Sequence, residues 1–267
     1  MSTIDDSIIP THFITPAPEP RWGKASSTPD EQKFLEGPRT RRFEFFRALR
    51  VFRELITGFR QLHFVGPCVT VFGSARFPES HPYYQQAREL GSLLAKEGFT
   101  VMTGGGPGLM EAANRGAKEA GGHSIGCNIT LPQEQAPNPY LDRFVQFRYF
   151  FIRKVMLVKY SYGFIAAPGG FGTMDELFEV ATLIQTGKIQ NFPVVLFGTA
   201  YWAPLVHFLR ESLLANLAID AEDLDRIVVT DSPAVAAECM VQAATQRFGL
   251  KYRVRRKPAR ILFERGV

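Results

Sequence analysis

A glycine-rich turn followed by acidic residues is the feature of this sequence best suited to chemistry. The stretch runs from Pro168 to Glu179 and reads PGGFGTMDELFE. It follows an apolar run, Phe164 to Ala167, long enough for a buried strand, and leads into a segment with helical periodicity. Glycines at such a junction let a ligand approach bare backbone, and a helix N-terminus favours an anion. The alternative is an ordinary tight turn before a helix with a stabilising acidic first turn.

A second glycine turn comes directly after another predicted strand, which covers residues 99–102. It opens the stretch TGGGPGLMEAANRGA, in which Pro107 suits the first turn of a helix. The stretch is not the GxGxxG dinucleotide fingerprint, because Leu109 and Glu111 stand where glycine would be needed, and no GxxxxGK[ST] loop occurs. A glycine turn without either pattern suggests a mononucleotide or a sugar phosphate held by backbone and helix ends.

The elements that would position these turns alternate between strand and helix over about 180 residues. This alternation predicts an α/β fold, a doubly wound parallel sheet with helices on both faces and an N-terminal helical extension. Ligands of such sheets lie at the carboxyl ends of the strands, where the glycine turns would collect. The predicted organisation is an extended or disordered arm over residues 1–37, an Arg-rich accessory helix over 38–66, a nucleotide-binding catalytic domain over 67–248, and a basic tail over 249–267.

Composition narrows the class of protein. The 267 residues are 45% hydrophobic, which suits one large core. The three cysteines have no CxxC spacing and the five histidines form no HExxH, so we expect neither a disulfide framework nor a metal site. The N-terminal stretch MSTIDDSIIP carries an acidic pair where a signal peptide would be basic, and no apolar run is long enough for a membrane span. A cytoplasmic location is therefore expected.

The net charge of +5 is concentrated toward the two ends of the chain. In the accessory helix we predict that an apolar face packs on the body of the protein, and that an arginine face is solvated. The apolar face comprises Phe45, Leu49, Phe52, Ile56 and Phe59. The arginine face comprises Arg42, Arg50, Arg53 and Arg60. Nucleic-acid binding through these arginines is the alternative, which we consider the weaker one because the face lacks interleaved exposed aromatics.

A predicted helix over residues 149–161 carries two adjacent cations. Arg153 and Lys154 lie beside Met156 and Leu157 in the mostly apolar run YFFIRKVMLVKYS. Cations in such a helix need an anionic partner or a route to solvent. On spacing alone, a buried ion pair between two helices that does no chemistry is the favoured interpretation of Arg153 and Glu176, and a catalytic pair is the alternative.

Three stretches, GGGPGLMEAANRGA, FFIRKVML and PGGFGTMDE, occur in an order and at separations that resemble the LOG family. Members are often mislabelled as lysine decarboxylases and act as cytokinin riboside 5′-monophosphate phosphoribohydrolases, with AMP nucleosidase activity among relatives. The resemblance covers about Cys68 to Val241. It implies a Rossmann-like fold, hydrolysis of a nucleoside 5′-monophosphate, a role in cytokinin biosynthesis, no cofactor, and a homodimer or a larger homo-oligomer. It implies neither a membrane nor a nucleic-acid partner.

The resemblance also implies site residues. Arg153 and Glu176 fall on the family's catalytic pair. The residues implied to bind substrate are Ser74, Gly105, Gly106, Glu134, Arg153, Lys154, Gly169, Gly170, Phe171, Gly172, Thr173, Met174, Asp175 and Thr182. The chain departs from the family pattern at Phe151, where many members have His, and at Tyr162, where many have Asp.

These roles imply a mechanism. Cleavage of an N-glycosidic bond builds positive charge on the ribose, so Glu176 would activate water and stabilise the ribosyl cation, as paired acids do in glycosidases. Arg153 would hold Glu176 and substrate in register, and the 5′-phosphate would lie on the N–H groups of residues 170–173. A non-catalytic nucleotide-binding protein, or a carrier similar to the molybdenum-cofactor carrier proteins, is the alternative.

Overall fold

The computed structural model describes residues 33–34, 37, 39–130, 136–247 and 249–250. The chain divides into two units, residues 1–46 and 47–267. In the first unit, Phe45 and Phe46 are exposed, and the Arg42 guanidinium lies 5.8 Å from the centre of the Phe46 ring. The predicted N-terminal arm lies mostly outside the described residues, and the basic tail lies almost wholly outside them.

A seven-stranded parallel sheet forms the centre of the second unit, with the strand order β4-β3-β2-β1-β5-β6-β7. Its strands are β1 (Cys68–Phe72), β2 (Thr100–Thr103), β3 (Ser124–Ile129), β4 (Arg143–Phe147), β5 (Ser161–Ala166), β6 (Val194–Phe197) and β7 (Ile227–Thr230). The order reverses direction between β1 and β5. This reversal is the point at which such sheets bind ligands, and the predicted fold class is confirmed.

Helix α1 precedes the sheet, and the other helices lie between or after its strands. They are α1 (Arg41–Leu62), α2 (Pro82–Lys96), α3 (Leu109–Glu119), α4 (Phe150–Tyr160), α5 (Phe171–Gln185), α6 (Thr199–Phe208), α7 (Ala221–Asp225) and α8 (Pro233–Gln242). Helix α6 continues as wider π-helical turns over Leu209–Leu214, and α8 does so over Ala243–Arg247. The sequence analysis did not predict α7.

The core has two layers, one on each face of the sheet, because side chains alternate along every strand. On one face, Phe164 and Val194 pack with buried residues of α4 and α5. On the other face, Ile165 and Val195 pack with buried residues of α2, α3 and α8. Strand β5 therefore contributes to both layers, as expected of a central parallel strand.

The prediction for the packing face of the accessory helix is wrong except at Phe59. Leu49, Phe52 and Ile56 are 45%, 58% and 40% exposed. The helix packs through Phe59 together with Val51, Leu55 and Leu62, which were not predicted. Gly58 explains this choice, because a Cβ there would lie 2.8 Å from Met156 Cε and 2.9 Å from Phe147 Cε1. Only a glycine lets this side of the helix approach the body so closely.

The exposed face of α1 also corrects a second expectation. Phe52 lies beside the exposed Arg53, so exposed aromatics are interleaved with arginines on this helix. The tail that the nucleic-acid alternative also invoked lies outside the described residues apart from Gly249 and Leu250.

Candidate active site

Three turns meet at the carboxyl ends of β1, β2 and β5, and the backbone of Ser74 ties them together. The Ser74 N–H donates to Pro168 O at 2.9 Å, and Ser74 O accepts from Leu109 N–H at 3.0 Å. Gly108 has φ +69°, and a Cβ there would lie 2.5 Å from Ser74 O. Glycine at position 108 therefore permits both the left-handed turn and the close contact between the first two turns.

A cavity of about 790 Å³ lies between these turns, within the size range of small-molecule sites. Seven of the predicted site residues line it: Ser74, Arg153, Gly169, Gly170, Phe171, Gly172 and Thr173. The carboxyl end of β3 and one residue of α6, Tyr201, complete the wall. The structure thus brings the PGGFGT motif and the cation of α4 to one cavity, at the reversal of strand order.

The glycines of the PGGFGT motif differ in what they contact. A Cβ at Gly169 would lie 2.1 Å from Thr173 Oγ1, so the fold itself requires glycine at this position. A Cβ at Gly170 or Gly172 would meet no atom within 4 Å, and neither residue has a left-handed φ. Neither packing nor backbone conformation therefore demands glycine at positions 170 and 172. The open space beside them belongs to the cavity.

Helix α5 presents its N-terminus to this space. Thr173 N–H and Met174 N–H both donate to Gly170 O, at 3.0 and 3.1 Å. The N–H groups of Phe171 and Gly172 have no acceptor among the described residues. Unpaired first-turn donors and the helix dipole together make a site for an anion.

Arg153 of α4 and Glu176 of α5 form a buried ion pair. Arg153 Nη2 lies 2.7 Å from Glu176 Oε1, and Glu176 Oε2 has no hydrogen-bond partner within the described ranges. The glutamate side chain is 1% exposed, whereas Arg153 is 13% exposed and lines the cavity. Burial raises the pKa of Glu176 above its usual 4.5, against the lowering effect of Arg153. A carboxylate of raised pKa with one free oxygen can act as a base.

One detail of the motif was predicted wrongly. Helix α5 begins at Phe171, so Asp175 and Glu176 lie in its second turn and not in its first. Glu176 therefore points from the body of the helix into the region between α5 and α4, where Arg153 meets it. A purely stabilising role at a helix start does not explain this placement.

Several predicted substrate residues have their polar groups engaged within the protein. Gly105 N–H donates to Thr103 Oγ1 at 2.9 Å, and Asn138 Nδ2 donates to Gly106 O at 3.1 Å. Thr182 Oγ1 donates to Phe178 O at 2.8 Å, and Thr182 lines a different cavity, between α5 and the segment that follows α6. Met174 packs against the core. Glu134 lies outside the described residues.

Comparison with known proteins identifies the family. A family model described as "Possible lysine decarboxylase" matches residues 110–240. The chain is 33% identical over 178 residues to the rice cytokinin riboside 5′-monophosphate phosphoribohydrolase LOG, covering 65% of this chain and 71% of that protein. The chain belongs to the LOG family. The resemblance stated from sequence is thereby confirmed.

Two further proteins extend this comparison of the LOG-family chain. The pyrimidine/purine nucleotide 5′-monophosphate nucleosidase of Escherichia coli K12 is 30% identical over 167 residues, which are 58% of this chain and 36% of the relative. The chain thus matches only about a third of that longer protein. A solved structure titled TM1055 has a TM-score of 0.51 at 27% identity, and the match covers 66% of this chain and 99% of that one.

Lys154 is the residue that a lysine-based decarboxylase would need beside the motif, and the structure engages it elsewhere. Its Nζ lies 2.9 Å from Asp175 Oδ1 and 3.0 Å from Glu179 Oε2. Burial lowers the pKa of Lys154, but the two carboxylates outweigh burial and leave the pKa raised. A more firmly protonated amine is a poorer nucleophile for Schiff-base chemistry. Lys154 and Asp175 were both predicted to bind substrate, and the structure pairs them with each other.

Among the lining residues of the LOG-family cavity that were not predicted from sequence, three have nitrogen- or oxygen-bearing side chains. Arg76 lies in the turn after β1, Asn128 lies near the end of β3, and Tyr201 lies in α6. Tyr201 donates its hydroxyl to Gly169 O at 2.7 Å and so supports the PGGFGT turn. Position at a strand's carboxyl end could have indicated Asn128 and Arg76, but no pattern in the sequence indicates Tyr201.

Within the described part of the chain, no group of three or more His, Cys, Asp or Glu side chains is arranged to hold a metal ion. Over the same residues, no helix combines the length and the apolar character needed to cross a bilayer.

Proposed function

We propose that this protein hydrolyses the N-glycosidic bond of a nucleoside 5′-monophosphate, either AMP or a cytokinin riboside 5′-monophosphate, to the free base and ribose 5-phosphate. The observation that carries the proposal is Arg153, which lines the cavity beside the N-terminus of α5 and pairs with the buried Glu176 directly behind it. The names of the rice and Escherichia coli relatives describe enzymes acting on this class of substrate.

The substrate phosphate occupies the N-terminus of α5. The unpaired N–H groups of Phe171 and Gly172 donate to its oxygens, and the open space at Gly170 admits it. The positive end of the helix dipole adds attraction for the dianion. Thr173, which also lines the cavity, contributes its hydroxyl. A nucleoside without phosphate would forgo all of these interactions.

The reaction occurs at the anomeric carbon, next to the ion pair. As the bond to the base breaks, the ribose gains oxocarbenium character, which a carboxylate stabilises. Glu176 Oε1 is held by Arg153, and Oε2 is free to accept a proton from the attacking water. Because Glu176 is buried and Arg153 lines the cavity, we propose that the guanidinium turns toward the substrate as it binds, and so opens access to the carboxylate.

Homo-oligomerisation remains part of this proposal. Phe150, Phe151 and Phe171 are 48%, 51% and 92% exposed in the single chain, which leaves apolar surface at the site available to a second copy.

A product screen tests the proposed function. AMP, GMP, CMP, UMP and isopentenyladenosine 5′-monophosphate are each incubated with the protein, and base and ribose 5-phosphate are measured. Adenosine serves as the control without phosphate. We expect equimolar base and ribose 5-phosphate from at least one nucleotide and no adenine from adenosine. Tight nucleotide binding without product from any nucleotide would instead identify a binding or carrier protein.

A further inference from the structure

Asn128 presents a hydrogen-bond donor of fixed orientation to the cavity. It is the last residue but one of β3, and its side chain is partly exposed among the lining residues. Its Oδ1 accepts from Ile129 N–H at 2.7 Å. Its Nδ2 has no partner among the described residues and is not among the buried polar atoms that lack one. The amide nitrogen therefore faces accessible space.

The hydrogen bond to Ile129 determines which end of the amide is free. A backbone N–H needs an acceptor, so the atom next to it is the oxygen, and the NH₂ group lies on the other side. The side chain thus offers two N–H donors. The opposite orientation of the amide is excluded, because it would place the NH₂ group against Ile129 N–H, donor against donor. Asn128 is built to donate to an acceptor on whatever occupies the cavity.

The position of β3 indicates which part of the substrate this acceptor belongs to. Along the sheet, β3 is separated from β5 by β2 and β1. Three strand spacings of about 4.8 Å make this a span of about 14 Å. The phosphate site begins at the turn after β5, so a nucleotide extended along the strand ends places its base near β3. Arg153 lines the same cavity from α4, a helix that packs on β3.

We propose that Asn128 is a base-binding residue of this site, and that its amide N–H donates to a ring nitrogen or carbonyl oxygen of the nucleobase. The inference rests on the proposed function. When the C1′–N bond breaks, the nucleobase leaves with the bonding electron pair, and the oxygen of the attacking water bonds to C1′. The proton that this water loses is finally transferred to the nucleobase. A donor to the base stabilises the negative charge that develops on it before the proton arrives.

The test compares the Asn128→Asp variant with the natural protein. Aspartate keeps the shape and the acceptor for Ile129 N–H but replaces the NH₂ donor with a second oxygen of a charged carboxylate, so any repulsion of the phosphate appears in the inhibition constant of ribose 5-phosphate. The kcat and KM for AMP are measured together with the inhibition constant of ribose 5-phosphate, which has phosphate and sugar but no base. Asn216→Asp, a change of the same kind at an exposed position on the segment after α6, is the control.

We expect Asn128→Asp to lower kcat/KM for AMP on the order of 10- to 100-fold, with the inhibition constant of ribose 5-phosphate within about 2-fold of that of the natural protein. Unchanged kcat/KM would overturn the role of Asn128 while leaving the proposed function intact. A rise in the inhibition constant of ribose 5-phosphate by the same factor as the fall in kcat/KM would also overturn this role. The residue would then serve the sugar phosphate or the fold. If the natural protein releases no ribose 5-phosphate from any nucleotide, the proposed function itself fails, and this inference fails with it.

Discussion

Arg153 Nη2 lies 2.7 Å from Glu176 Oε1, while Oε2 of the same carboxylate has no hydrogen-bond partner within the described residues. Burial raises the pKa of this glutamate, and Arg153 acts in the opposite direction by favouring the ionised form. A pair that only joined two helices would be expected to satisfy both oxygens. The unpartnered oxygen leaves this carboxylate able to accept a proton, and the first predictions concern its titration.

The pH dependence of kcat/KM should show an acid limb set by Glu176. The base acts in its ionised form, and burial raises its pKa above the ordinary value of 4.5 despite Arg153. Activity therefore rises with pH through the raised value, so the midpoint of the limb lies above 4.5. Steady-state rates with AMP across a pH series measure this midpoint. A midpoint at or below the ordinary glutamate value would contradict the assignment of Glu176 as the base.

Removal of the neighbouring cations should move this limb to higher pH. Arg153 is the strongest of the groups that lower the pKa of Glu176, and Lys154 is a weaker one. Arg153→Ala should therefore shift the limb further than Lys154→Ala, in addition to lowering the rate. The two pH profiles of kcat/KM are compared with that of the natural protein. A larger shift for Lys154→Ala would mean that Arg153 is not the main partner of the carboxylate.

Two neighbouring glycines provide a test of the phosphate position. Gly169→Ala places a Cβ 2.1 Å from Thr173 Oγ1, so it should lower the melting temperature and abolish activity. Gly170→Ala meets no protein atom within 4 Å, so it should leave the melting temperature unchanged or slightly higher. Its methyl group enters the space assigned to the phosphate, and the KM for AMP should rise at least about 10-fold, a loss of about 1.4 kcal/mol. An unchanged KM would place the phosphate elsewhere.

A buried amide network supports the glycine turn after β2. Asn114 Oδ1 accepts from Thr103 Oγ1 at 2.6 Å and from Asn138 Nδ2 at 3.0 Å, and its Nδ2 donates to Ser124 Oγ at 2.7 Å. Thr103 and Asn138 in turn hold the backbone of residues 105 and 106. The turn thus depends on a side chain from the helix that follows it.

Asn114→Ala leaves buried donors without acceptors, which costs about 1–3 kcal/mol for each unsatisfied group. Urea unfolding should show a fall in the free energy of unfolding in this range or above. Ser124→Ala removes a single partner of the network and should cost less. Equal stabilities of the two variants would indicate that the network does not act as one unit.

The positions of the strands and their parallel arrangement could be predicted from sequence because most of them are short apolar runs bounded by turn residues. Phe164 to Ala167, for example, is followed directly by Pro168 and Gly169. The face of α1 could not be predicted in the same way, since this helix has two apolar stripes and periodicity does not say which one is buried. Gly58 was the available signal, because a glycine inside a helix often marks a close approach.

For the site, sequence predicted the PGGFGT turn and Arg153, which follow from local strand–turn–helix geometry and the family pattern. It could not predict that Lys154, next to Arg153, would be held by Asp175 and Glu179, since adjacent residues of a helix point in different directions and choose partners from tertiary packing. Asn128 was missed for a related reason. Its role depends on which strand lies next to the reaction centre. This is determined by the order of the strands in the sheet, which the sequence did not predict.

The most direct test of the account measures ribose 5-phosphate release from AMP by the Glu176→Gln and Glu179→Gln variants. Both acids lie on α5, but Glu179 pairs with Lys154 while Glu176 pairs with Arg153. Positioned acid–base catalysis is worth about 10²- to 10⁴-fold, so Glu176→Gln should lose at least about 100-fold in kcat with AMP binding retained. Glu179→Gln should remain within a few-fold of the natural protein. Unchanged turnover in a folded Glu176→Gln variant that still binds AMP would contradict the account.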